Sequence, residues 1–169
     1  SVVNLIANPS FNTSQNGYTN YNANSYNVFT WDSTRGNFAK GSVKLSKQQT
    51  TSSNMYVGQT FANCAAGSYT FSGYVNTNNV TNASGARLIL QVFNSDGTHV
   101  RDVGCNEVVY YTGTDEWKRI WATTTLTEGQ TLRILAGFPP NTLTGVAWFD
   151  DLQLEKGETA SSMNLLENI

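Results

Sequence analysis

Apolar and polar residues alternate along short stretches of this chain, and the three-to-four-residue spacing of a helix is nearly absent. A chain patterned in this way must bury one face of each of many short strands. In Ala86–Phe93, Leu88, Leu90 and Val92 share one face, and Arg87, Ile89, Gln91 and Phe93 share the other. In Trp117–Thr125, Ile120 and Ala122 point inward and Arg119, Trp121 and Thr123 outward. In Tyr69–Asn76, Tyr69, Phe71 and Val75 point inward, leaving Thr70, Ser72, Tyr74 and Asn76 outside. Further β-prone runs are Val2–Ile6, Val28–Trp31, Ser42–Ser46, Met55–Phe61, Val108–Tyr111, Thr131–Gly137 and Val146–Leu154, divided by turn clusters such as Asn94–Gly97. Asn12–Asn27 and Asn78–Gly85 read as polar loops. Strands in such number, with no helix between them, predict an all-β fold: an antiparallel two-sheet β-sandwich.

The outer faces carry an unusual chemistry. Charged residues are only 13% of the chain against a usual share of about a quarter. Asn, Thr and Ser fill about a third of it instead, and aromatics reach 12%. Aromatic rings beside amides, hydroxyls and guanidinium groups suit a sugar, whose pyranose ring offers a C–H face for stacking and hydroxyls for hydrogen bonds. The formal net charge of −2 provides no basic field, which argues against nucleic acid and anionic membranes as partners. No run of about 18 apolar residues is present to span a bilayer. Cys64 and Cys105 are too far apart in sequence for a zinc knuckle or a redox pair, and the sequence leaves open whether they form a disulfide. Sequons at Asn12, Asn79 and Asn82 are incidental in so Asn-rich a chain.

The two ends resemble one another. Asn4-Leu5-Ile6-Ala7-Asn8 is echoed by Asn164-Leu165-Leu166-Glu167-Asn168. A strand opener recurring about 160 residues later suggests one domain over residues 1–157, followed by a linker and the possible start of a further module over 158–169.

Several segments in order make the reading more specific. They are Asn4-Leu5-Ile6-Ala7-Asn8-Pro9-Ser10-Phe11, Trp31, Ser42-Val43-Lys44-Leu45, Gln59-Thr60-Phe61 with Ala66-Gly67-Ser68-Tyr69-Thr70-Phe71-Ser72, Trp117-Lys118-Arg119, and Trp148-Phe149-Asp150-Asp151-Leu152-Gln153-Leu154-Glu155. Together they resemble the jelly-roll carbohydrate-binding modules of the family 4/9/16/22 kind, across nearly the whole chain. The resemblance implies a galactose-binding-like jelly roll that binds polysaccharide without altering it. It further implies a place in a larger secreted or cell-surface bacterial protein, beside neighbouring modules of the same parent chain.

It also implies a structural calcium shared by the first and last strands. The family's acidic position after the N-terminal Phe is Asn12 here, whose amide oxygen is a ligand without charge. Asp150 is the favoured carboxylate, because it shares phase with Leu152 and Leu154 and its neighbour Asp151 then points away. Backbone carbonyls near Ser10 and Lys40 complete the expected set. The family's sugar-stacking positions vary, so glycan candidates come from strand phase alone. Tyr74 and Trp121 are the stacking candidates, Arg87 and Gln91 their hydrogen-bonding partners, and Tyr56 a weaker addition. Trp31, Trp117 and Trp148 are expected in the core.

No catalytic constellation is legible. His99 is the only histidine and sits just past the Asp96-Gly97 turn. No nucleophile elbow, phosphate loop or zinc-spaced ligand set occurs. The acids Asp32, Asp96, Asp102, Glu107, Asp115, Glu116 and Glu128 fall mostly in or beside turns, with no pair placed across a cleft as glycoside hydrolysis requires. The expectation is a binding module and not an enzyme. Its rival is a structural or adhesive spacer that shares the fold and has no glycan site.

Overall fold

The computed structural model describes residues 2–110, 116–140, 144–162 and 166–168. Strand β1 (Val2–Asn4) lies at the start, and β12 (Leu166–Asn168) pairs with it in parallel. One five-stranded sheet, hereafter the first, runs in the order β2 (Thr19–Tyr21), β5 (Met55–Phe61), β10 (Thr131–Phe138), β7 (Arg87–Phe93), β8 (His99–Gly104). The second runs β3 (Asn27–Asp32), β4 (Ser42–Lys47), β11 (Gly145–Lys156), β6 (Gly67–Asn78), β9 (Lys118–Leu126). All pairings within these two sheets are antiparallel. No described residue is helical, so no helix among them is long and apolar enough to cross a membrane.

One apolar cluster fills the space between the sheets, with Leu88, Leu90 and Val92 of β7, Phe71 and Val75 of β6, Ile120 and Ala122 of β9, and Phe149, Leu152 and Leu154 of β11. Those are the inward faces that alternation predicts. Two strands escaped the sequence reading. β2 is three residues inside the stretch expected as loop, and β8 is an edge strand whose polar sequence hides any apolar face. Conversely, the strand expected over Val108–Tyr111 is reduced to an isolated bridge between Val109 and Ala86, with Tyr111 outside the described residues. Cys64 and Cys105 are both free thiols, so the open disulfide question resolves to none.

Strand β11 changes phase partway. Its register against β6 shifts between Asp150 and Gln153, and Asp151 sits at φ 50°. The inserted residue of a β-bulge flips every side chain beyond it to the other face. Ala147 and Phe149 therefore face the core before the bulge, and Leu152 and Leu154 after it. This overturns two expectations built on unbroken alternation. Asp150 and Trp148 do not share phase with Leu152; both lie on the outer side of the sheet, where loop residues bury them. Trp31, also expected in the core, is 37% exposed and donates its indole N–H to the Phe11 carbonyl. Trp117 is only half-buried.

The N-terminal segment is fixed to the bulged strand. The Asn4 side chain donates to the Leu152 carbonyl at 2.9 Å and accepts from Leu154 N–H at 3.1 Å. Within the stretch expected as a linker and the possible start of a further module, the described residues 158–162 run back along the second sheet, where the Glu158 carbonyl accepts from Thr123 at 3.4 Å. Gly157 donates to the Ser68 carbonyl, and its own carbonyl accepts from Thr70. The Ser161 carbonyl accepts from Arg119 at 2.6 Å and from Gln153 at 3.2 Å, and Ser161 N–H donates to Glu155. This strap accounts for the burial of Thr70, Ser72, Gln153 and Glu155 on an outer face. Because Leu90 is completely buried in the shared cluster, Leu90→Ala is expected to destabilise the domain by about 2–5 kcal/mol in urea unfolding; a loss under about 1 kcal/mol would contradict a close-packed centre.

Candidate functional site

The five glycan candidates do not form one site. Tyr74 on β6 and Trp121 on β9 belong to the second sheet, whereas Arg87 and Gln91 on β7 and Tyr56 on β5 belong to the first. All five point outward, so the two groups look away from each other across the core. Arg87 and Gln91 cannot act as hydrogen-bonding partners of a sugar stacked on Tyr74 or Trp121.

The outer face of the second sheet is largely taken up by the chain's own loops. Arg35 lies over the Trp148 ring at 3.9 Å and donates to the Asn76 side chain. The Trp148 indole N–H donates to Asp32 at 2.9 Å. Tyr74 meets Phe38 edge-on at 5.6 Å, and Arg119 sits 5.6 Å over its ring. Beyond Tyr74 the strap covers the sheet. Trp121 remains 43% exposed and, with Arg119 and residues 158–160, lines a shallow depression of about 260 Å³.

The first sheet presents a more open polar face. There a depression of about 250 Å³ is lined by Tyr21, Asn22, Asn54, Tyr56, Gln91, Arg133 and Leu135. The register explains the grouping. Tyr21 pairs with Tyr56, and Thr60, Arg133 and Gln91 stand in one row across β5, β10 and β7. Tyr56 and Leu135 are 4% and 5% exposed, yet they lie outside the core cluster, on its far side. Burial pushes the Tyr56 phenol up to about 12, so it keeps its proton, and thus its donor, through the neutral range. Asn22 is fixed by hydrogen bonds to the backbone and side-chain oxygens of Asn54, both at 2.8 Å. Arg87 is spoken for by the Ser84 carbonyl. Of the candidates, then, Gln91 and Tyr56 meet in one depression. Tyr21, Asn22, Asn54, Arg133 and Leu135 were missed, although the phase of β10 against Leu132 and Ile134 already pointed Arg133 outward.

Under the loop between β3 and β4 lies an acidic pair. Asp150, 1% exposed, accepts from Asn37 N–H at 2.8 Å and from Asp151 N–H at 2.8 Å. Asp151 accepts from the Asn37 side chain at 3.0 Å and also from Ser10. The bulge thus brings both carboxylates to one loop, against the expectation that only one could enter. Burial raises Asp150 to about 8, with Asp151 adding to the rise against the two backbone hydrogen bonds. Burial raises Asp151 as well, opposed by Asn37 and Ser10. Neither has an ion-pair partner among the described residues. Of the remaining expected ligands, Ser10 touches Asp151, while Asn12 and Lys40 are exposed. Their backbones nevertheless converge: a β-carbon at Gly41 would lie 2.2 Å from the Phe11 carbonyl oxygen and 3.3 Å from Asn12 Cα. Two buried carboxylates amid hydroxyl, amide and carbonyl oxygens are a donor set that suits a hard cation such as calcium. No group of three or more His, Cys, Asp or Glu side chains is placed for metal binding among the described residues, so backbone and amide oxygens would have to complete the shell.

His99, the lone histidine, pairs with Asp102 at 2.7 Å on the exposed edge strand β8 and packs edge-on against Phe93.

No protein-family profile matches the chain, and no curated protein does. Solved structures do match. The xylan-binding domain CBM22-2 of Paenibacillus barcinonensis Xyn10C aligns with a TM-score of 0.67 at 14% identity, over 88% of this chain and 98% of that one. TmCBM61, solved with β-1,4-galactotriose, aligns with a TM-score of 0.56 at 16% identity, over 91% and 99%. A family 16 carbohydrate-binding module aligns with a TM-score of 0.56 at 14% identity, over 89% and 99%. At such identities the likeness is one of architecture alone, and by architecture this chain is an all-β, two-sheet jelly roll similar to the folds of those modules.

Proposed function

We propose that this chain is a non-catalytic carbohydrate-binding module that targets a larger secreted or surface protein to a polysaccharide, and that the glycan lies on the outer face of the first sheet. The observation that carries this reading is the depression between Tyr21, Tyr56, Gln91 and Arg133, where rings, amides and a guanidinium converge. Sugar rings would stack on Tyr21 and hydrogen-bond to Gln91, Asn22 and Asn54. Affinity for one such site is modest, and linkage to further modules would raise avidity. The fold's likeness to modules described as xylan-binding or solved with galactotriose supports the class of ligand.

A structural calcium at Asp150, Asp151, Ser10 and the neighbouring carbonyls belongs to the same proposal. It would neutralise two buried acids and hold the loop between β3 and β4 on the sheet. A spacer or adhesive role is the second reading, favoured by Trp121, which is exposed beside the strap and suits contact with a neighbouring domain.

A glycan array of plant, fungal and bacterial wall polysaccharides separates the two readings. A specific hit supports the module, whereas a blank with folded protein favours the spacer. With a hit in hand, Gln91→Ala and Tyr21→Ala are each expected to weaken binding by about tenfold, the worth of roughly 1.4 kcal/mol of stacking or hydrogen bonding. Trp121→Ala, on the opposite sheet, should leave affinity unchanged; the reverse pattern would move the site to the second sheet.

Asp150→Ala is expected to lower the melting temperature more in calcium than in chelator, and an equal loss in both would remove the metal. Wild-type pH dependence provides an independent check. The folded Asp150 titrates near 8 against 3.8 for a free carboxyl, so between these values the folded state holds a proton that the unfolded state has lost. In chelator, stability should therefore fall as pH rises through that window, with the full loss present above 8. Calcium would hold the carboxylate ionised and flatten the curve; identical profiles in both buffers would count against the site.

A further inference from the structure

Arg133 has an arrangement that a neutral sugar does not require. It rises from the middle of β10, the central strand of the first sheet. Its Nε donates to Thr60 Oγ1 on β5 at 3.1 Å. Its guanidinium carbon lies 5.4 Å from the Tyr21 ring centroid and 5.0 Å from that of Phe93. One hydrogen bond and two rings on different strands thus hold the side chain, while its terminal Nη groups have no protein partner among the described residues. The depression they border has no acidic lining residue. Asp102, the acid opposite Gln91 on β8, is engaged by His99.

We propose that this guanidinium is the recognition point for a carboxylate, and that the site takes an acidic glycan, one that carries uronic acid. The inference rests on the glycan-binding reading of this face and names its ligand class. An arginine fork matches a carboxylate with two parallel N–H···O bonds, stronger than the bonds a sugar hydroxyl can accept. The fork here is already oriented, so little side-chain entropy remains to be lost on binding. Gln91, directly across the strand pair from Arg133, is placed to bond the hydroxyls next to that carboxylate, and Tyr21 to stack on the adjoining ring. Since the whole chain carries a net charge of −2, attraction of an anion must come from this local group and not from a general basic surface.

Calorimetric titration of the wild-type protein tests this with two matched pairs of probes. One is trigalacturonate against its carboxyl-reduced trisaccharide, and the other is a glucuronic-acid-decorated xylo-oligosaccharide against the undecorated chain. At least one acidic probe is expected to bind about tenfold or more tightly than its neutral partner, the size of one charge-assisted hydrogen bond or more. The preference should shrink between low and high salt. Arg133→Gln should abolish it, and Arg133→Lys should restore only part, because the charge returns without the fork. Equal binding of acidic and neutral probes overturns the uronate assignment and leaves the glycan-binding reading intact. Binding of neither, together with a blank glycan array, overturns both. An acidic preference that survives Arg133→Gln in protein of unchanged melting temperature also overturns the assignment.

Discussion

Every strand of the two five-stranded sheets except the short β2 packs against a single apolar layer, and that layer decides what the other residues are free to do. Burial of alternate side chains is the largest stabilising contribution in such a sandwich, and it fixes strand register, because a slip of one residue would turn a whole face outward. Once Leu90, Phe71, Ile120 and Phe149 are committed inward, two outer faces are left over. The chain treats them differently. It folds its own loop and strap across one and leaves a polar hollow on the other.

The covered face is organised from one corner. Asn37 joins the loop between β3 and β4 to both Asp150 and Asp151. From that anchor the same loop sends Arg35 over Trp148 and Phe38 against Tyr74. The acid pair and the covering of the sheet are therefore a single structure. The bulge at Asp151 is its origin, since a regular strand would have sent the two carboxylates to opposite sides.

Strand phase in the sequence identified the inward faces of β6, β7 and β9, because their apolar residues repeat with period two and their partners are local in the pattern. It failed on β11, where a non-glycine residue takes a positive φ and the period breaks without any change in composition. It also failed on the outer faces. Thr70 and Ser72 look exposed in sequence, and they are buried by a contact such as Thr70 with Gly157, 87 residues away. For the same reason phase alone placed Tyr74 with Gln91: alternation says which residues point outward but not which of two sheets they belong to. The hollow's missing members follow suit. Tyr21 lies in a three-residue edge strand too short to show a period.

The parallel ladder between β1 and β12 has a mechanical meaning. Val2 pairs with Leu166 and Asn4 with Asn168, so the two strands run side by side in the same direction. Opposed forces applied at Val2 and at Asn168 would act along the strands and load the rungs together in shear instead of peeling them singly. The Asn4 side chain, tied to Leu152 and Leu154 of β11, extends that resistance into the larger sheet.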